Sequence, residues 1–108
     1  MSLDIWLTKP GTDEEVYSAN ITHNLTTVAS EIGIYGCLWR PEETEITKAE
    51  HLIEPLENGL SLLKLLPDRC RSFDSSNGWG THEDFVPWLE NLLEACITYP
   101  GADVNTDR

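Results

Sequence analysis

Few of the residues that do chemistry in proteins stand in working order along this 108-residue chain. His23, His51 and His82 are spread far apart, and neither a His-x3-His nor a mixed Cys/His spacing forms a metal-ligand pattern. Covalent catalysis needs an activated nucleophile with a base in reach and an oxyanion donor. Cys37 lies in an apolar run and Cys96 on an apolar stripe, where a thiol packs as a small hydrophobe. Cys70 has the electropositive setting of a reactive thiol, between Arg69 and Arg71, but no His or acid flanks it. Gly78 and Gly80 precede a helix start, as in an anion-binding loop, yet Glu83 and Asp84 in that first turn already complement the helix dipole and would repel an anion. The inventory predicts no catalytic residue, no metal and no cofactor, and favours binding over catalysis.

Two aromatic junctions remain: Leu38-Trp39-Arg40-Pro41-Glu42-Glu43 and Asn77-Gly78-Trp79-Gly80-Thr81-His82. Each sets a tryptophan where Gly, Pro or Asn argues against a regular element, so both tryptophans are expected as exposed anchors. Trp39 beside Arg40 offers a stacking surface and a cationic fork. The alternative is internal: Arg40 pairs with Glu42 or Glu43, and Trp39 covers the hairpin. Glu50, Glu54 and Glu57 share one helical face at i, i+4, i+7, and with Glu42, Glu43 and Glu45 they make a dense acidic ridge.

Nineteen acids against seven bases give a formal net charge of -12, which repels a phosphate backbone and argues against direct nucleic-acid binding. The same charge suits a basic protein partner. Three cysteines without C-x-x-C spacing predict neither a disulfide framework nor a zinc knuckle, and point to a reducing cytoplasm. No charged and apolar leader is evident, and no apolar run approaches the roughly 18 residues that span a bilayer. Asn20-Ile21-Thr22 and Asn24-Leu25-Thr26 match the glycosylation sequon, which matters only in a secreted eukaryotic chain.

The elements that must position these residues read as one domain over 1–108, with 1–2 and 105–108 loose. Leu3, Ile5 and Leu7 alternate with polar or amphipathic neighbours as a strand; Lys9 to Asp13 is turn chemistry; Glu15 to Ile21 returns as a second strand. A helix is expected from a Thr22 N-cap through Leu25, Val28, Ala29 and Ile32 to a stop at Gly33, followed by an apolar run broken at Gly36. Thr47-Lys48-Ala49-Glu50 is a capping box opening the longest helix, with Leu52, Ile53, Leu56, Leu60 and Leu63 buried and a kink or break at Pro55. A last helix starts near Thr81 and buries Phe85, Trp88, Leu89, Leu92, Cys96 and Tyr99 before Pro100-Gly101 ends it. Ala102 to Asn105 is either a third, edge strand or a tail. The fold class is therefore α+β, an N-terminal hairpin with an optional third strand packed on three main helices.

Asn20-Ile21-Thr22-His23-Asn24-Leu25, Leu38-Trp39-Arg40-Pro41-Glu42, Asn77-Gly78-Trp79-Gly80 and a closing Ala95-Cys96 with a Pro-x-Ala-x-Val tail follow one another in an order that resembles a family of small proteins of bacterial and phage genomes. The resemblance spans nearly the whole chain. It implies a stand-alone phage or prophage accessory protein, transfers no catalytic residue, and implies that His23, Asn24, Trp39, Arg40, Asn77 and Trp79 gather in one cluster; His82, at the end of the second junction, is a further candidate binding residue. Three readings follow: a protein-interaction module using the acidic ridge and the tryptophans on a basic partner, a pocket at the cluster that binds or sequesters an anionic or planar metabolite, or, least favoured, an enzyme built on the same cluster, to which the sequence assigns no reaction. Four tryptophans and amphipathic helices also leave room for a homodimer.

Overall fold

The computed structural model describes residues 2–22, 25–65 and 82–107. Strand β1 (Ser2–Thr8) pairs antiparallel with β2 (Glu15–Thr22) on one side and with β3 (Asp103–Asp107) on the other, giving the order β2-β1-β3. The third strand is thus real, and Ser2 and 105–107, expected to be loose, are ordered into the sheet. Leu3, Ile5 and Leu7 are paired with Ile21, Ala19 and Tyr17, so the alternation of β1 puts its apolar face on the core. The turn between them is a type II turn: Thr12 N–H donates to the Lys9 carbonyl (3.0 Å), Pro10 supplies the fixed φ, and Gly11 takes φ 71°. The pairing slips by one residue between Leu7 and Thr8, leaving Val16 as the extra residue of β2.

Strand β2 runs through Thr22, and the residue that precedes α1 is Leu25, whose side chain makes no cap bond. Helix α1 (Thr26–Glu31) ends in a Schellman motif: Ile34 N–H reaches the Ala29 carbonyl (2.9 Å) and Gly33 N–H the Ser30 carbonyl (3.2 Å), with Gly33 at φ 79°. Helix α2 (Tyr35–Trp39) passes through Gly36 instead of breaking there. A side chain at Gly36 would lie 3.0 Å from Thr44 Cγ2, so the glycine admits the loop that folds back on it. A single 3-10 turn, Pro41–Glu43, follows.

Helix α3 (Glu50–Leu65) and helix α4 (His82–Thr98) pack on each other, and α4 also packs on β2. They run antiparallel, since Glu50 N–H donates to the Pro100 carbonyl (2.9 Å) while Lys64 reaches Glu90 (3.7 Å). The start of α3 is held differently from a capping box. Ala49 and Glu50 amides are taken by the carbonyls of Ala102 and Pro100, and His51 Nδ1 accepts from the amides of Thr47 (3.3 Å) and Lys48 (3.2 Å). Both helices continue through a proline at their sixth position, Pro55 and Pro87, each of which gives up one bond of the helical ladder. The buried stripe of α3 is Leu52, Leu56, Leu60 and Leu63 with Gly59 among them; Ile53 is half-buried.

Candidate functional site

Trp39 is the last residue of α2 and only 2% exposed, so it is a core residue and not the surface anchor expected from its neighbours. Its indole stacks on Tyr35 one turn earlier, with centroids 5.8 Å apart and planes 12° from parallel. Arg40 follows where the helix ends and its side chain stays in solvent, 3.8 Å from the Glu43 carboxylate. The Tyr35 hydroxyl, then the Tyr35, Glu43 and Glu42 charges, raise the Arg40 pKa above its ordinary value. The internal pairing of Arg40 is therefore the observed one. A shallow hollow of about 400 Å³, lined by Thr26, Ser30, Glu31 and Tyr35, borders this cluster.

The other members of the expected cluster, His23, Asn24, Asn77 and Trp79, lie outside the described residues, as does Cys70. His82 is the first residue of α4, and its side chain also lies outside the description. Cys37 and Cys96 are buried, and burial pushes each thiol up to about 12, the setting of inert packing groups. Among the described residues no group of three or more His, Cys, Asp or Glu is placed to hold a metal ion. No helix among them is long and apolar enough to cross a membrane.

The acidic ridge is on the surface throughout. Glu42, Glu43 and Glu45 are exposed on the segment after α2, and Glu50, Glu54 and Glu57 are exposed along α3. Glu45 sits at φ 59°, a left-handed conformation that glycine or asparagine usually takes. It occupies that place because Ile46 N–H closes back on the Pro41 carbonyl (3.0 Å). Every described Lys and Arg already faces an acid: Lys9 with Glu14 (3.2 Å), Arg40 with Glu43, Lys48 with Asp103, and Lys64 with Glu90. Asp103 also accepts from Gly11 N–H (3.2 Å), and Lys48 followed by that amide holds its carboxyl below the usual range.

Several surface features were not anticipated. Leu62, Leu65, Ile97 and Tyr99 are exposed, although Tyr99 was expected on the buried stripe; it lies just past the end of α4, its N–H still bonded to the Ala95 carbonyl (2.9 Å). Leu62 and Leu65 fall on the polar side of α3 when its 3.6-residue period is followed, a sign that was readable in the sequence. Trp88 donates its indole N–H to the Asn20 carbonyl (2.9 Å), tying α4 to the far end of β2. Compared with protein-family models, curated proteins and solved structures, the chain finds no match.

Proposed function

We propose that this is a small acidic accessory protein, of phage type by the order of its motifs, that acts by binding a basic surface of another protein. The observation that carries the reading is charge balance. With each described cation already held by an acid, the exposed Glu45, Glu50, Glu54 and Glu57 are the charges that would steer a basic partner and select its orientation. Glu45 adds a second argument. An L-residue in the left-handed region costs about 1–2 kcal/mol, and a strained residue that glycine would relax is a mark of function. Apolar contact would come from Leu62, Leu65, Ile97 and Tyr99, in place of Trp39.

Affinity capture in host lysate at low and moderate salt, with mass spectrometry, tests the reading. A basic protein held at low salt and released at moderate salt is expected, and the combined Glu50→Lys, Glu54→Lys, Glu57→Lys variant should lose it without a change in melting temperature. Capture that is equal for the variant and the original chain would sink the proposal. Glu45→Gly should weaken capture while raising stability by about 0.5–1 kcal/mol, the relief of the left-handed strain less the entropy that glycine adds to the unfolded chain.

A further inference from the structure

The two outer edges of the sheet differ. On β3 the edge is covered where the strand begins: Val104 N–H donates to the Thr47 carbonyl (3.0 Å), Lys48 bridges to Asp103, and Ala49 N–H donates to the Ala102 carbonyl (2.9 Å). On β2 the indole of Trp88 takes the Asn20 carbonyl. Between Glu15 and Ala19, no other strand pairs with β2 among the described residues. Strand geometry says which groups look outward there. Asn20 O is reached from the side away from β1, and on β1 the Trp6 carbonyl faces β3, where Asn105 Nδ2 donates to it (3.3 Å). Trp6 is opposite Ser18 and Asp4 opposite Asn20, so Ser18 shares the outward phase of Asn20 and presents both its N–H and its C=O at the open edge.

Among the described residues, hollows flank this stretch on both sides of the sheet. On the core side, a hollow of about 320 Å³ between β2 and α4 is lined by Tyr17, Asn91, Glu94, Ala95, Thr98 and Tyr99. On the outer side, a hollow of about 490 Å³ over β1 and β2 includes Asp4, Trp6, Glu15 and Ser18. A third of about 250 Å³ follows Glu15 to Ser18 along the strand itself. Each of the two flanking hollows combines an aromatic floor with carboxylates: Tyr17 and Tyr99 with Glu94, and Trp6 with Asp4 and Glu15.

We infer that β2 between Glu15 and Ala19 is a strand-addition site, accepting an extended basic segment of a partner protein as a fourth strand through the Ser18 backbone. Main-chain bonds give the affinity and alternate side chains the specificity. An added strand sends successive side chains to opposite faces, so lysines or arginines on either face meet Glu94 or Asp4 and Glu15, with their stems on the tyrosines or on Trp6. A second copy of this chain is disfavoured as the occupant, because each copy carries a net charge of -12 and would bring Glu14 and Glu15 of its own to the same place. The inference rests on the basic-partner reading and names the part of the partner that docks.

The probe is a blocked eight-residue peptide of alternating arginine and valine, with a glutamate-valine peptide as control. Backbone NMR of the full chain follows Ser18. With the arginine peptide at about ten times its Kd, exchange of the Ser18 amide should slow by about tenfold, as expected for an amide protected only in the bound state. The glutamate peptide should leave it unchanged. An arginine peptide methylated on alternate backbone nitrogens should lose the protection, and so should Ser18→Pro, which removes an N–H that makes no ladder bond within the sheet. The Glu50→Lys, Glu54→Lys, Glu57→Lys variant separates the two readings. Protection of Ser18 that survives in it supports the edge as a site of its own. Peptide binding that depends on α3 and leaves Ser18 unprotected overturns the edge while the basic-partner reading stands. Absence of peptide binding, or a dimer of this chain that protects Ser18 without peptide, also overturns the inference.

Discussion

At Gly59, α3 comes close to the turn after α1, and a methyl group placed there gives a quantitative test of that packing. A Cβ on residue 59 would lie 2.7 Å from Ile34 Cγ2 and 3.6 Å from Ile32 Cδ1. The first distance is about 1 Å inside the best carbon-carbon separation of roughly 3.5–4.0 Å. Ile34 is fully buried and its Cγ2 branches directly from Cβ, so it moves clear only by turning χ1 into a less favoured rotamer against its packed neighbours or by shifting its backbone. Overpacking of this kind costs about 1–3 kcal/mol, and exchanging a helical glycine for alanine returns about 1 kcal/mol. Gly59→Ala alone should therefore destabilise by about 0–2 kcal/mol, a range too wide to decide anything. The double-mutant cycle is decisive. Ile34→Ala removes Cγ2 at a cost of about 2–5 kcal/mol, and in that background Gly59→Ala should become stabilising by about 1 kcal/mol. The coupling energy is then about 1–3 kcal/mol, read from urea midpoints with unchanged slopes. Ile34→Val is the control, because valine keeps both γ-carbons and should preserve the conflict. Additivity within about 0.5 kcal/mol for the Ile34→Ala cycle would refute the claim that this glycine is required by close approach.

The two buried thiols predict an alkaline limit. Cys37 and Cys96 hold their protons to about 12 in the folded chain, whereas unfolded cysteine releases its proton near 8.5. A folded pKa above the unfolded one favours the protonated form, so stability is intact below the unfolded value and should fall between pH 9 and 12 by up to about 1.4 kcal/mol per pH unit for each thiol. Urea titrations across that range, with a Cys37→Ala, Cys96→Ala chain as reference, check the slope; equal slopes in both chains would contradict it. Trp88→Phe keeps the packing beside Phe85 but removes the donor to Asn20 O, and should cost about 1 kcal/mol in chemical denaturation. No measurable loss would mean that the indole bond does not hold α4 to the strand.

The α+β architecture was legible because its signals are local. Alternation at Leu3, Ile5 and Leu7, the Pro10-Gly11 turn, and the stripes of Leu52 to Leu63 and Phe85 to Cys96 each report one element's own period. The errors lie where a distant segment decides. Thr47-Lys48-Ala49-Glu50 reads as a capping box, but the amides at this start are taken by carbonyls of Ala102 and Pro100, about fifty residues away in the chain. Gly36 reads as a break because the Thr44 methyl that requires it belongs to a later loop. Trp39 reads as exposed for the same reason: with Gly36 inside the helix, Tyr35 and Trp39 come onto one face and stack. The charges of the acidic ridge were readable directly, since long acids at i, i+4, i+7 opposite a leucine stripe have nowhere but solvent to go. The strand edge at Ser18 was not, because openness depends on what lies beside β2 and on a one-residue slip at Leu7/Thr8.

The sheet order has a mechanical consequence. The start of β1 and the end of β3 lie side by side, Asp4 opposite Asp107, at the same end of the sheet. A load applied through these two ends would not shear the strands along their length. It would open the β1–β3 ladder like a zipper, one rung at a time, so the rungs break in sequence at low force instead of sharing the load. A covalent tie between the first rungs of β1 and the last of β3 would remove that weakness.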